Sequence, residues 1–171
     1  MLDALMIFLV SIGPFGLFIA AIIGNASLFL PLPVDFLIIP LASVDYFPFL
    51  NFPLACPFIL GLIVAFGASI GEFSGYLIGL AGIKSFESMK KKEIEQLKLL
   101  KERLETVGIP LIAFFSFTPL PFDLIGIAAG LAKYSKTKFF IGCLLGKIPR
   151  YIILAYAGYF GITFLTHLFG A

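Results

Sequence analysis

Twice in this chain a run of apolar residues is interrupted by one pattern, Pro-Leu-Pro-x-Asp. Pro31-Leu32-Pro33-Val34-Asp35 and Pro119-Leu120-Pro121-Phe122-Asp123 lie 88 residues apart, and at that offset Phe29 matches Phe117 and Ile39 matches Ile127. Two prolines around one residue remove two amide donors and disfavour helix just before each ring. In apolar surroundings such bare backbone is tolerated only where protein buries it or it lines a wet cavity. The chain is therefore expected to contain two copies of one unit, each a helical hairpin broken at its proline pair.

The apolar surroundings are a membrane. Of the 171 residues, 60% are hydrophobic and 13% charged, with mean hydropathy +1.08. Soluble domains carry about 25% charged residues, and a small domain has too much surface to hide such an excess of apolar ones. A soluble enzyme, a disordered chain and a disulfide-stapled secreted domain are all excluded. The net charge of +2 gives no reason to expect a nucleic-acid partner.

Five apolar blocks cover about 4–24, 26–44, 53–83, 109–132 and 138–166. A span needs roughly 20 apolar residues. The first, third and fifth blocks read as spans, and the N-terminal one as a retained helix, because no basic region precedes it. A cleavage site near Ala26 is the alternative. The second and fourth blocks, carrying the prolines, read as re-entrant hairpins. The spans after them echo each other at an offset of 75, where Gly67, Gly71 and Tyr76 fall on Gly142, Gly146 and Tyr151. Together these matches give a two-repeat architecture. It is one polytopic domain, with repeat one over about 26–83, a charged segment over about 84–107 and repeat two over about 109–166.

Charge placement orients the copies. Lys84 to Glu105 holds 12 of the 22 charged residues, seven of them basic. Short basic stretches stay cytoplasmic, which places residues 84–107 and the Lys133, Lys136, Lys138 cluster inside. Residues 45–52, with Asp45 and no Lys or Arg, read as external. The two hairpins then enter from opposite faces, as an inverted repeat. Phe86, Met89, Leu97, Leu100, Leu104 and Val107 recur at helical spacing, and Gly108 and Pro110 supply a stop. This predicts an amphipathic cytoplasmic helix, either a solvated connector or a lipid-contacting cover for the hairpin mouth.

Five ionisable side chains fall inside apolar blocks: Asp35, Glu72, Asp123, Lys147 and Arg150. Each would cost about 2.5–3.5 kcal/mol at a helix centre, on the order of 15 kcal/mol together, so they must share partners or water. Three acids face two bases, and the acid left over is cheapest protonated, which points to proton coupling. Alternatively, Asp35 and Asp123 cap the helices that follow the breaks. Lys147 and Arg150, three residues apart, share a helix face. They either pair with the acids or attract an anionic headgroup, to which Arg150 offers a two-pronged phosphate contact.

Gly67, Gly71, Gly75 and Gly79 form a stripe that lets another backbone approach closely, between halves of the chain or in a homo-oligomer. Gly142 and Gly146 would do the same in the second copy. Cys56 and Cys143 fit no metal or redox spacing and read as packing residues. No nucleophile elbow, zinc motif or phosphate loop occurs, so neither enzymatic activity nor a cofactor or metal is expected.

The run from Gly67 to Gly82, with Glu72 and Tyr76 inside it, resembles the glycine-rich motif of the DedA / VTT-domain (SNARE-associated) membrane proteins. Phe115 to Asp123, followed by Gly130 and Phe139, resembles their second hairpin, and Gly146-Lys147-Ile148-Pro149-Arg150-Tyr151 the start of their last helix. The resemblance covers roughly residues 25–165. It implies opposed re-entrant hairpins and translocation of lipids, either polyprenyl-phosphate carriers or phospholipids, with protons as a coupling partner. Many bacterial members carry Arg before and after the hairpin proline. Here Ser116 and Phe122 stand instead, and Lys147 and Arg150 are left to supply positive charge. The expectation is an all-α integral protein of a prokaryotic cytoplasmic membrane that moves lipid headgroups by a flippase- or scramblase-like route. The rival expectations are a non-transporting assembly scaffold and a small-solute or ion transporter.

Overall fold

A computed structural model of the chain describes residues 12–26, 34–47, 52, 54–82, 91–118 and 122–169. Pro31, Pro33, Pro119 and Pro121, with Phe29, Phe86 and Met89, lie outside the described residues. The elements are all helical: α1 (Pro14–Ala26), α2 (Val34–Leu41), α3 (Ala55–Gly82), α4 (Lys91–Phe117), α5 (Asp123–Leu131) and α6 (Lys136–Phe169). Two of them, α3 and the Lys136–Phe164 part of α6, are long and apolar enough to cross a membrane.

These two long helices run antiparallel and cross directly. Gly61 of α3 abuts Ile152 of α6, whose Cα would lie 2.9 Å from a Cβ at Gly61. Further along α3, Glu72 meets Lys147, and Tyr76 lies beside Phe139 with ring centroids 5.1 Å apart. The four other apolar segments are short. At 13 residues, α1 is about 20 Å long, less than the roughly 30 Å of a hydrocarbon core. Residues 4–11 of the first apolar block, read as part of a plain span, lie outside the described residues. With α2, α1 forms a pair of short helices flanking the first proline break. The end of α4 and α5 flank the second in the same way.

Glycine positions dictate where the short helices seat. At Gly67, α3 meets the Phe18 carbonyl and Ala21 Cβ of α1, and at Gly71 the Ile22 carbonyl and Asn25 Cβ. At Gly142, α6 meets the Ile109 carbonyl and Ile112 Cβ of α4, and at Gly146 the Ala113 carbonyl and Ser116 Cβ. The long helices correspond at the expected offset of 75. The first short helices correspond atom for atom at an offset of 91, three more than the 88 that relates the two aspartates, so three more residues separate the matched positions across the first break. The stripe that could have served a second copy is spent within the chain. Gly67 and Gly71 receive α1, while Gly75 and Gly79 receive α5.

The second short helices are exchanged between halves: α5 packs on α3, and α2 on α6. The Ile127 backbone lies against Gly79, and the backbone of its counterpart Ile39 lies against Gly158. Gly158 is four residues beyond Leu154, the position that corresponds to Gly79. So α2 sits one helical turn further along α6 than α5 does along α3. The physical reason lies in the side chains. Gly75 and Gly79 face Gly126 and Gly130 at one contact. The counterparts at the other are Arg150 and Leu154 against Ile38 and Ala42, which leave no room for backbones to touch.

Two apolar cores result. One gathers Leu17, Ile38, Leu41, Leu60, Val64 and Tyr151 from α1, α2, α3 and α6. The other gathers Tyr76, Leu104, Ile112, Tyr134, Phe139 and Cys143. At the stop expected from Gly108 and Pro110 the helix breaks: Val107 is non-helical, φ −128°, ψ 15°, and the two parts of α4 join across a kink there. Pro110 cannot donate to the carbonyl one turn back, and Gly108 packs on the Tyr134 ring. The kink turns the charged half of α4 so that Leu104 is buried and Val107, assigned to the packed face by spacing alone, is exposed.

Candidate functional site

Glu72 and Lys147 each follow a glycine that seats a neighbouring helix, Gly71 on α3 receiving α1 and Gly146 on α6 receiving α4. They correspond to one another at the offset of 75, and the antiparallel crossing brings them face to face. Lys147 Nζ donates to Glu72 Oε1 at 2.7 Å and to Asn25 Oδ1 at 2.8 Å. Asn25 is itself oriented by donating to the Ala21 carbonyl at 2.9 Å. Both charged side chains are buried, 4% exposed for Lys147 and 7% for Glu72. The pair is sealed, and its ammonium has two oxygen acceptors in place.

Arg150 lies one turn further along α6 and reaches the other way. Its Nη2 donates to Asp35 Oδ2, and its Nη1 donates to the Thr118 carbonyl at 2.6 Å. Asp35 stands two residues after Pro33, and Thr118 immediately before Pro119. One guanidinium therefore ties the first proline break to the second. The Tyr151 ring packs beneath it, 6.0 Å from guanidinium carbon to ring centroid. This pair is half-open: the Arg150 side chain is 16% exposed and that of Asp35 37%. A cavity of about 280 Å³ adjoins it, lined by Asp35, Phe117, Arg150, Ile153 and Leu154.

Asp123 stands apart. It opens α5, with its backbone against Gly75. The residue at the N-cap is Phe122, which makes no side-chain cap hydrogen bond. Among the described residues Asp123 has neither an ion-pair nor a side-chain hydrogen-bond partner, although it lies within electrostatic range of Glu72. Asp35, the other candidate cap, is committed to Arg150. Of the five ionisable groups singled out by sequence, four form two ion pairs and one carboxylate remains.

Two participants were not singled out by sequence. Asn25 was visible as a polar amide at the junction of the first two apolar blocks, a residue type that rarely enters lipid without a partner. Thr118 contributes only its carbonyl, which every residue type carries, so no sequence signal marks it. The proline breaks nonetheless create the condition for it, because they free carbonyls from helical bonding.

Chemically, the arrangement suits exchange of anions at Arg150. A planar guanidinium binds carboxylate and phosphate oxygens in the same fork geometry. A phosphate entering the cavity can therefore take the place of Asp35 while Nη1 stays on Thr118. Lys147 is buried too deeply to do this. No curated protein and no solved structure matches the chain. The family model described as the VTT domain matches residues 35–160, a stretch that opens at Asp35 and contains Glu72, Asp123, Lys147 and Arg150, and so the chain belongs to the VTT-domain family of membrane proteins.

Proposed function

We propose that this protein translocates lipid headgroups across the membrane, between two re-entrant hairpins related as an inverted repeat. The antiparallel crossing of α3 and α6, and the recurrence of the same contacts at Gly67/Gly71 and Gly142/Gly146, support the inverted relation. The shortness of α1, α2 and α5 supports re-entrant elements. The observation that carries the reading is Arg150, a half-open cation at a cavity, joined to both proline breaks at once.

The tail of the lipid stays in the hydrocarbon, and the headgroup phosphate displaces Asp35 from Arg150. Losing that bond unties α2 from the guanidinium, so binding loosens one hairpin against the other. No covalent bond is made or broken, and the protein acts as a transporter and not as an enzyme. Lys147 and Glu72 hold the crossing of the long helices. Asp123 is the carboxylate that has no cation partner among the described residues. Residues 84–107 lie on the cytoplasmic side of a prokaryotic membrane, as their basic charge directs.

Translocation of a headgroup-labelled phospholipid and of a polyprenyl phosphate in proteoliposomes tests the reading. Arg150→Gln, which keeps hydrogen bonding and removes the charge, is expected to fold and to lose translocation of both lipids. Arg150→Lys should retain only a fraction, because an ammonium lacks the planar fork that holds the Thr118 carbonyl with one arm and a phosphate with the other. Folded Arg150→Gln translocating at the parent rate refutes the reading.

A further inference from the structure

The cavity at Arg150 can be transferred residue by residue onto the other half. By the internal correspondences, Asp35 maps to Asp123, Arg150 to Gly75, Ile153 to Ile78, Leu154 to Gly79 and Phe117 to Ala26. That mapped place is filled by backbone. The Asp123 carbonyl would lie 3.4 Å from a Cβ at Gly75, and the Ile127 Cα 2.9 Å from a Cβ at Gly79. On the α6 side, a side chain of arginine length and a leucine stand where α3 has only hydrogen atoms, and α2 is displaced by one turn.

We propose that the headgroup is received on the α2 side alone, and that Arg150 and Leu154 make that site by holding α2 off the stretch of α6 where glycines would let it close. The inference rests on the headgroup reading and specifies how the same site is built. Charge acts in the same direction as shape. A lipid phosphate approaching α2 meets a guanidinium whose carboxylate partner can be displaced. One approaching α5 meets the Asp123 carboxylate, which has no cation partner among the described residues. The ligand class is thus a phosphate monoester or diester headgroup, loaded from one side. The α3–α5 glycine contact is the closed barrier that must part for release. Leu154 is a positioning residue, acting through the seat of α2 and touching no ligand oxygen.

Thiol labelling tests this without any transport measurement. In a Cys56→Ser/Cys143→Ser background, Ile153→Cys and Ile78→Cys occupy equivalent places and are similarly exposed, 57% and 50% for the native side chains. A charged, water-soluble methanethiosulfonate distinguishes a wet cavity from contact with lipid tails. Ile153→Cys is expected to react at least about tenfold faster, a difference of about 1.4 kcal/mol in access. Leu154→Gly should bring its rate down toward that of Ile78→Cys, and Gly79→Leu, which copies the prop onto α3, should raise the rate at Ile78→Cys. Equal rates in the parent background, or a rate at Ile153→Cys unmoved by Leu154→Gly in folded protein, overturn the one-sided site. Protection of Ile153→Cys by dihexanoyl phosphatidic acid is the separate readout for the headgroup reading. Asymmetric labelling without protection refutes that reading and leaves the one-sided cavity standing.

Discussion

Replacing Lys147 by Met removes one half of the most deeply buried ion pair in the described structure and leaves Glu72 and Asn25 facing an apolar side chain. At 2.7 Å and an effective dielectric near 20, the attraction between the charges is about 6 kcal/mol. Taking each ion out of water costs several kcal/mol, so the intact pair contributes little beyond what well-packed apolar groups would. Breaking it is another matter. An uncompensated buried charge costs about 3–5 kcal/mol, and for a chain of this length that lowers the melting temperature by about 6–20 °C. Glu72→Met should cost a similar amount for the mirror-image reason. The double variant Glu72→Met/Lys147→Met leaves only the Asn25 amide unsatisfied, a penalty of about 1–3 kcal/mol. The double variant should therefore fall short of the sum of the singles by at least about 3 kcal/mol. Melting of detergent-solubilised protein, followed by loss of the monodisperse fraction, measures all four corners of the cycle. Additive single effects, or singles each below about 1 kcal/mol, would refute the pairing as the element that holds α3 to α6.

Gly79→Ala pushes a methyl into the Ile127 backbone and should destabilise by about 1–3 kcal/mol, whereas Gly161→Ala, with nothing within 4 Å, should gain about 0.5–1 kcal/mol; the same melting assay orders the two. Tyr76→Phe deletes a buried 2.6 Å hydrogen bond to the Tyr134 carbonyl and should cost about 1–3 kcal/mol. Lys133 holds a left-handed backbone, φ 51°, at the end of α5, so Lys133→Gly should raise stability by about 1 kcal/mol. In the serine background used for labelling, Asp45→Cys and Lys98→Cys are expected to react from opposite faces of intact cells. Labelling of both from one face would remove the topology assigned from basic charge.

Much of the fold was legible because its causes are local. Proline breaks a helix through its own ring and its missing donor, so the proline pairs predicted helix ends without reference to any neighbour, and α1 and α4 end before them while α2 and α5 begin after them. Glycines repeated at offset 75 announced close approach in both halves, and the structure places a short helix at each. Five charges in apolar sequence announced a shared site, and four of them form its ion pairs. The role of α1 was not legible. Its seat on Gly67 and Gly71 joins residues about 50 apart in the chain, which spacing alone does not pair.

The sequence by itself determined the solvent, the breaks, the repeat and the residues that needed partners, since each follows from the chemistry of single residues or from their spacing. Which partners they found was decided only by the tertiary structure. Lys147 met Glu72 and Arg150 met Asp35, contacts separated by 75 and 115 residues, because α3 and α2 pack against α6 and spacing along a chain does not specify where. The one-turn displacement of α2 is of the same kind. Arg150 and Leu154 are ordinary residues until α2 arrives against them, and only the volume they then exclude makes a cavity on one side and a closed contact on the other.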